Sequence, residues 1–343
     1  MFYKIFIRSI LFLFDAESIH NFTLNFFSKA TFLYPILKLI FSPESDSVAE
    51  LKGLKFKNRL GLAAGFDKNG IAIRFWEALG FSHLEVGTVT PLPQPGNPKP
   101  RIFRLKEDEA IINRLGFNNK GAEEVRRNIL EARKLTGKDF VIGVNIGKNK
   151  NTPIKEAVND YKKCFEKLFD VADYFTINIS SPNTEGLRLL QEEEYLDELL
   201  SEIKDLNDLI SRSNGEQTKP VFLKIAPDLT PDMTGLIYKL VVKNKLSGII
   251  ATNTTVERLN LKSRINEQGG LSGKPLKQMS DKVLKSLNDM NRENSDDPVL
   301  LIGVGGVFDN DDYKSKLNNG ASLVQIYTGL IYEGPSILKK ILN

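Results

Sequence analysis

The feature that most constrains the fold of this chain is an eightfold alternation between short apolar runs and helix-compatible stretches. Each apolar run is rich in β-branched residues and ends in small or polar residues. Nearly continuous hydrophobic strands that alternate with helices are typical of a parallel sheet covered on both faces. Eight such units close a (β/α)8 TIM barrel, which is the α/β fold that we predict. The predicted strands are 59–64, 83–88, 140–146, 174–179, 221–226, 248–253, 299–305 and 323–328.

A doubly wound sheet is the competing fold, but its dinucleotide fingerprint is absent. The run GVGGVF at 303–308 lacks the third glycine of the GxGxxG motif and lies late in the chain. In barrels, the turns after strands seven and eight often bind phosphate through backbone N–H groups. Gly305-Gly306 and Thr328-Gly329 fall in these two turns. The sequence therefore favours a barrel with a phosphate site.

The N-terminal part of the chain lacks this alternation and is apolar and aromatic. Two apolar runs, 1–14 and 31–41, are shorter than the roughly 20 residues of a spanning helix, and no small-residue cleavage site follows the first. Apolar residues at helical spacing between them predict a short helical hairpin. Such helices either lie in a membrane interface or dock on the main domain as a cap. We divide the chain into an N-terminal segment (1–41), a polar linker (42–53) and the barrel (54–343).

Composition argues against several classes of function. The net charge is +4 and the basic residues are scattered, which gives little support to nucleic-acid binding. A single cysteine, Cys164, excludes an internal disulfide and a cysteine-rich metal site. The two histidines, His20 and His83, are far apart in sequence, so a histidine metal site is not expected. We predict no metal and no nucleic-acid partner.

Polar residues follow the predicted strands at the carboxyl ends, where the active sites of barrels lie. They comprise amides, hydroxyls, glycines and two lysines, without an acid pair for glycoside chemistry or a carboxylate–histidine cluster. Uncharged amides suit a neutral heteroaromatic ligand, whereas lysines suit an anion or a negative charge that develops during a reaction. These residues include Lys68, Thr88, Asn145, Asn178, Ser181, Asn183, Lys224, Thr252, Asn253, Thr254, Tyr327 and Thr328.

A series of motifs carries a family resemblance. They are AAGFDKNG, NPKPRIFRL with NRLGFNN, NISSPNTEGLR, KIAPDL, ATNTT, GGLSGKPL, and GVGG with YTGLIYEGP. In order and spacing, from about residue 54 onward, they resemble the dihydroorotate dehydrogenase family. The N-terminal segment, with FDAESIHNFT, is similar to that of the membrane-associated, quinone-dependent class 2 enzymes. The soluble class 1 enzymes lack this extension and use cysteine where this chain has Ser181.

The resemblance implies oxidation of dihydroorotate to orotate, the fourth step of pyrimidine biosynthesis. FMN would be the immediate hydride acceptor and a membrane quinone the final electron acceptor. Ser181 would be the catalytic base that takes the C5 proton. Because a serine hydroxyl titrates far from neutral pH, it needs a proton relay, and Thr184 and Phe117 match the positions that order one.

The resemblance also assigns the binding residues. Lys68 would face the substrate carboxylate, Lys224 would lie near the N1/O2 edge of the flavin, and His20 and Arg101 match the quinone site. The substrate-binding residues would be Lys68, Asn113, Arg114, Leu115, Gly116, Phe117, Asn178, Asn183, Asn253 and Thr254. The FMN-binding residues would be Ala64, Gly65, Phe66, Asp67, Lys68, Thr88, Asn145, Asn178, Lys224, Thr252, Gly273, Gly305, Tyr327 and Thr328.

Three alternatives stay open at the level of sequence. One is a class 1 dihydroorotate dehydrogenase that uses fumarate or NAD, and another is a Schiff-base aldolase with Lys224 as nucleophile. The third is a non-catalytic, membrane-bound barrel that holds a nucleotide. We predict a monomer bound peripherally to the lipid bilayer surface, on the cytoplasmic side of the inner membrane.

Overall fold

The computed structural model describes residues 3–44, 48–184, 186–258, 260–265, 267–294 and 298–343. The strands in this part of the chain are β1 (Ala49–Leu51), β2 (Leu54–Phe56), β3 (Leu60–Leu62), β4 (His83–Val89), β5 (Ile102–Leu105), β6 (Ala110–Asn113), β7 (Val141–Ile146), β8 (Tyr174–Asn178), β9 (Val221–Ile225), β10 (Gly248–Ala251), β11 (Gly270–Gly273), β12 (Leu300–Val304) and β13 (Leu323–Ile326). The α-helices are α1 (Arg8–Leu11), α2 (Ala16–Lys29), α3 (Tyr34–Phe41), α4 (Ile73–Leu79), α5 (Ala122–Arg133), α6 (Ala157–Leu168), α7 (Glu193–Asn214), α8 (Pro231–Lys243), α9 (Lys277–Glu293), α10 (Asn310–Asn318), α11 (Thr328–Glu333) and α12 (Ile337–Leu342).

Eight parallel strands form a closed barrel in the order β3, β4, β7, β8, β9, β10, β12 and β13, and β13 pairs with β3 to complete the ring. Each of them overlaps one of the eight predicted strands. The predicted (β/α)8 barrel is therefore confirmed. All residues of β4, β7, β8 and β9 are buried, as expected for strands covered on both faces.

Two glycines allow large side chains to fill the barrel. A Cβ atom at Gly61 would lie 2.1 Å from the ring of His83, and one at Gly143 would lie 2.0 Å from the ring of Tyr174. Nδ1 of His83 lies 2.9 Å from the Ser82 hydroxyl, and burial lowers the pKa of His83 to about 3. His83 is therefore a neutral core residue at the amino end of β4 and not part of a catalytic site.

A second sheet covers part of the carboxyl end of the barrel. Strands β5, β6 and β11 are antiparallel, with β6 in the middle. The sequence did not predict these strands, because they lie outside the eightfold alternation of apolar runs and helices. Asn113 ends β6 opposite Gly270 of β11. The sheet thus carries a predicted substrate-binding amide to the edge of the barrel opening.

The N-terminal segment contains α1, α2 and α3, which pack against the outside of the barrel. Asp15 caps α2 by accepting a hydrogen bond from the Ser18 amide. Phe27 of α2 stacks on Phe75 of α4 with ring centroids 4.3 Å apart, and the Tyr34 hydroxyl donates to the Phe27 carbonyl. No helix in the described ranges is long and apolar enough to cross a membrane.

The predicted linker, 42–53, contains strand β1, which pairs antiparallel with β2. Residues 45–47 of this linker lie outside the described residues. The division into an N-terminal segment, a linker and a barrel stays a prediction.

Candidate active site

A cavity of about 950 Å³, including the space open to solvent, lies at the carboxyl ends of the barrel strands. Its walls combine amide, hydroxyl and glycine residues with two lysines. The predicted site residues that line it are Ala64, Gly65, Lys68, Thr88, Asn113, Leu115, Gly116, Phe117, Asn178, Ser181, Asn183, Lys224, Thr252, Asn253, Thr254, Gly273, Gly305, Tyr327 and Thr328.

Other predicted site residues do not line this cavity. The Asp67 carboxylate accepts hydrogen bonds from the Ile71 and Ala72 amides at the start of α4, so it orders this helix. The Arg114 side chain forms an ion pair with Glu267. The remaining residues of this group are Phe66, Asn145, Thr184, His20 and Arg101.

Ser181 lies in the loop after β8 and is buried within the cavity wall. Its Oγ accepts a hydrogen bond of 3.3 Å from the backbone N–H of Asn183. Neither histidine lines this cavity. The Thr184 hydroxyl is buried and has no hydrogen-bond partner in the described part of the chain. The serine therefore lacks the imidazole that activates an acyl-transfer nucleophile.

Four asparagine side chains meet above the barrel: Asn113 at the end of β6, Asn178 at the end of β8, Asn183 in the loop after β8 and Asn253 in the loop after β10. Nδ2 of Asn183 donates a hydrogen bond of 3.2 Å to Asn113 Oδ1, and Nδ2 of Asn253 lies 3.4 Å from Asn178 Oδ1. Asn178 in turn donates to the Thr88 hydroxyl over 2.9 Å. Uncharged donors and acceptors at fixed positions suit a ring with alternating N–H and C=O groups.

Lys68 is the cation on one side of the cavity. Its Nζ donates to Asn118 Oδ1 over 2.5 Å. The pKa of Lys68 is lowered to about 7, first by burial and then by the positive charge of Arg101, and the Glu17 carboxylate partly offsets this shift. A lysine that has lost most of its hydration and has no carboxylate bonded to it is suited to receive an anionic ligand.

Lys224, on β9, is buried at the floor of the cavity. Its Nζ lies 3.6 Å from Oε1 of Glu85, a carboxylate that the sequence analysis did not select. The signal for Glu85 was present, since it is the one charged residue in the buried strand HLEVGTV. Its partners could not be read from the sequence because they come from other strands.

The predicted quinone-site residues lie where α2 meets the loop after β4. Arg101 is buried and forms two hydrogen bonds with the carboxylate of Glu17, of 2.9 and 2.6 Å. His20 donates from Nε2 to the Phe66 carbonyl over 2.8 Å. Desolvation lowers the pKa of His20 to about 4, so the ring is neutral at pH 7. Glu17 was not predicted, although it lies one helical turn before His20 on α2.

Comparison of the sequence with known proteins identifies the family of this chain. The sequence model of the family "Dihydroorotate dehydrogenase" matches residues 48–343, which is most of the chain. The chain belongs to the dihydroorotate dehydrogenase family.

Two curated relatives, both named dihydroorotate dehydrogenase (quinone), match over nearly their whole length. The protein of Christiangramia forsetii is 50% identical over 99% of this chain and 97% of its own length. That of Shewanella loihica is 45% identical over 100% of this chain and 98% of its own. The prediction of a quinone-dependent, class 2 dihydroorotate dehydrogenase is confirmed.

A solved structure agrees with these matches. DHODH from Eimeria tenella in complex with ferulenol is 38% identical and has a TM-score of 0.85, covering 95% of this chain and 89% of its own. Both curated relatives are named as quinone-dependent dihydroorotate dehydrogenases, so the class 1, aldolase and non-catalytic alternatives receive no support. In the described residues, no group of three or more histidine, cysteine or acidic side chains could hold a metal ion.

Proposed function

We propose that the cavity binds FMN and dihydroorotate together and that the chain oxidises dihydroorotate to orotate, with a quinone as the final electron acceptor. The observation that carries this proposal is the meeting of amides, two lysines and a buried serine at the barrel opening, in a chain of this family. The reaction belongs to pyrimidine biosynthesis.

The floor and one wall of the cavity fit FMN. Gln325 lines the cavity, and its Oε1 is buried without a hydrogen-bond partner among the described residues, so a ligand donor can satisfy it. Gly305 and Gly306 have φ angles of 118° and 74° and turn the chain back after β12. Their backbone and that of Thr328 would hold the phosphate. Lys224 would hold the N1/O2 edge of the flavin from below.

The other predicted FMN contacts divide into two groups. Those that line the cavity support the proposal directly, whereas Phe66, Asp67 and Asn145 would act from behind the wall. The Thr88 hydroxyl donates to Asn145 Oδ1 over 2.6 Å, so Asn145 orients a lining residue. When bound, FMN supplies the two-electron acceptor of the reaction.

The opposite side of the cavity fits dihydroorotate. Lys68 would bind the carboxylate, and the amides of Asn113, Asn178, Asn183 and Asn253 would pair with the ring N–H and C=O groups. Such a site discriminates against analogues that lack these groups, because its own buried amides would then lose their partners. The backbone at 115–117, which also lines the cavity, would close the site over the ring.

Ser181 would take the C5 proton of dihydroorotate. Its hydroxyl is a weak base, so the proton has to pass onward and water has to be excluded. The unpartnered hydroxyl of Thr184 and the Phe117 side chain that lines the cavity support this relay. Phe117 is held with φ at 53°, a backbone conformation that side-chain-bearing residues rarely adopt.

The N-terminal segment would lead a quinone from the lipid bilayer to the flavin. His20 and Arg101, with Glu17, lie between α2 and the cavity wall, where the His20 ring contacts Phe66 with centroids 5.1 Å apart. Exposed apolar side chains of this segment support peripheral binding to a membrane surface. The cytoplasmic side of that membrane stays a prediction. A monomeric state stays a prediction.

The visible spectrum of the purified protein, taken before and after anaerobic addition of dihydroorotate, tests the proposal. We expect a flavin spectrum that bleaches with dihydroorotate and returns when a quinone is added. A protein that stays colourless after incubation with FMN would contradict FMN binding. A flavin that does not bleach would contradict the substrate.

A further inference from the structure

A buried carboxylate lies directly beneath the cavity. Glu85 has no exposed surface, yet it does not line the cavity itself. Its carboxylate receives hydrogen bonds from side chains of other barrel strands. These donors are Asn145 Nδ2 at 2.8 Å, Thr176 Oγ1 at 3.1 Å, Gln325 Nε2 at 3.1 Å and the Tyr174 hydroxyl at 3.4 Å.

Three contacts of Glu85 reach the site above it. Lys224, 3.6 Å away, and Gln325 both line the cavity. Asn145 accepts a hydrogen bond from Thr88, which lines it as well. Glu85 is therefore the common partner of separate parts of the cavity floor.

A purely structural role does not account for a charge at this position. Burying a carboxylate is costly even when it is paired, and apolar residues of similar volume often fill such a position at no loss of stability. The pKa of Tyr174 is raised, first by burial and then by the negative charge of Glu85. The Glu85 carboxylate lies 3.6 Å from the Lys224 ammonium group, so its charge acts on a cation that lines the cavity.

We propose that Glu85 is a positioning residue that holds Lys224 beneath the flavin and offsets its charge, so that the reduction potential of bound FMN is lower than the lysine alone would set it. This inference rests on the proposed binding of FMN. Two-electron reduction adds negative charge to the flavin ring, and a buried ammonium group stabilises that charge. A carboxylate 3.6 Å from the ammonium weakens the effect.

The consequence for the reaction is a compromise between its two halves. A higher potential would favour the transfer of electrons from dihydroorotate to the flavin. It would also make their transfer from the flavin to a quinone less favourable. Pairing Lys224 with Glu85 keeps the cation in place for flavin reduction by dihydroorotate. It also keeps the potential low enough for the reduced flavin to pass its electrons to a quinone.

The test compares Glu85→Gln with the wild type, both loaded with FMN. Glutamine keeps the size and one acceptor oxygen but removes the charge. At a fixed potential set by a reference dye, we expect the ratio of reduced to oxidised flavin to rise about tenfold or more. Reoxidation by a quinone should become slower. An unchanged ratio in a variant that binds FMN would overturn the proposal.

Tyr174→Phe is the matched control, because it removes the hydroxyl that bonds Glu85 over 3.4 Å and leaves the charge in place. At the same potential, its ratio of reduced to oxidised flavin should equal that of the wild type. If Glu85→Gln does not fold, as judged by circular dichroism, Glu85→Asp replaces it. Aspartate keeps the charge but withdraws it from Lys224, so a smaller shift in the same direction is expected, and a wild-type ratio would overturn the proposal.

The wild-type protein separates the two levels of inference. If it binds no FMN when titrated as apoprotein, the proposed function fails and this inference fails with it. If it binds FMN and is reduced by dihydroorotate while both Glu85 variants keep the wild-type dye equilibrium, only the role of Glu85 is wrong.

Discussion

The cavity and the N-terminal segment distribute their polar and apolar groups in opposite ways. The cavity gathers amides and two lysines, of which Lys224 is buried, in an apolar barrel. The N-terminal segment instead exposes apolar side chains, with Leu13, Phe32 and Leu39 exposed by 80, 76 and 82%. A surface that presents this much apolar area is typical of contact with a membrane or another protein. Under the proposed function, the barrel would carry the chemistry and the segment would deliver the quinone.

The largest effect should follow from removing the N-terminal segment. Deletion of residues 1–41 should reduce the rate of reduction of a lipid-like quinone to background, because the path to the flavin is lost. Flavin reduction by dihydroorotate should persist, as measured by stopped-flow absorbance. A truncated protein that still reduces the quinone at the full rate would contradict the proposed role of the N-terminal segment in leading the quinone to the flavin.

A point substitution sharpens the same comparison without disturbing the fold of the segment. Leu39→Glu places a charge on its exposed apolar face and should weaken cosedimentation with phospholipid vesicles. Leu189→Glu, at a half-exposed leucine of the barrel part, is the control and should leave vesicle binding unchanged. Equal losses in both variants would show that binding is not confined to the segment.

The second-largest effect should come from Ser181→Ala. We expect FMN to remain bound while flavin reduction slows by about 10²–10⁴-fold, since a positioned base contributes a factor of this size. Ser181→Cys is the control, because a thiol can also accept the proton. Anaerobic stopped-flow measurements of both variants check the prediction, and an unchanged rate in Ser181→Ala would exclude the serine as the base.

The connection between the two regions should contribute to stability. Glu17→Ala leaves the buried Arg101, within the described part of the chain, with only the Pro95 and Asn97 carbonyls as acceptors. We expect the free energy of unfolding to fall by about 3 kcal/mol, as for other broken buried ion pairs. Lys134→Ala removes an exposed ion pair with Glu131 on α5 and should change the free energy of unfolding by less than about 0.5 kcal/mol. Chemical denaturation compares the two variants, and equal effects would contradict the buried link.

The smallest effect is a pH dependence of substrate binding. The pKa of Lys68 is lowered to about 7, so the side chain is charged below this pH and becomes neutral above it. The KM for dihydroorotate should therefore rise several-fold as the pH increases through 7, and Lys68→Met should have a high KM at every pH. Steady-state assays with a soluble dye acceptor measure both. A flat profile in the wild type would mean that the carboxylate binds elsewhere.

The sequence was most informative where a property depends on local order along the chain. Apolar runs identified all eight barrel strands, because a strand covered on both faces needs such a run. The same reasoning missed β5, β6 and β11, which are short and lie in loops. Polar residues after the strands predicted most of the cavity lining, because parallel strands bring their carboxyl ends together.

The site also contains pairings that the sequence did not reveal. Arg101 lies 84 positions from Glu17, and Gln325 lies 240 positions from Glu85. Asp67 sits within a predicted FMN-binding motif, yet its carboxylate caps α4. Spacing along the chain gives no information on such contacts.

By itself, the sequence determined the barrel, the family motifs and the residue types at the strand ends, because these follow from local patterns of apolar and polar residues. Only the tertiary structure decided which charges meet. Closure of the barrel brings Lys224 to Glu85, and docking of α2 brings Glu17 to Arg101. The physical reason is that a charge can be buried only where the fold delivers a partner, and that partner comes from a distant part of the chain.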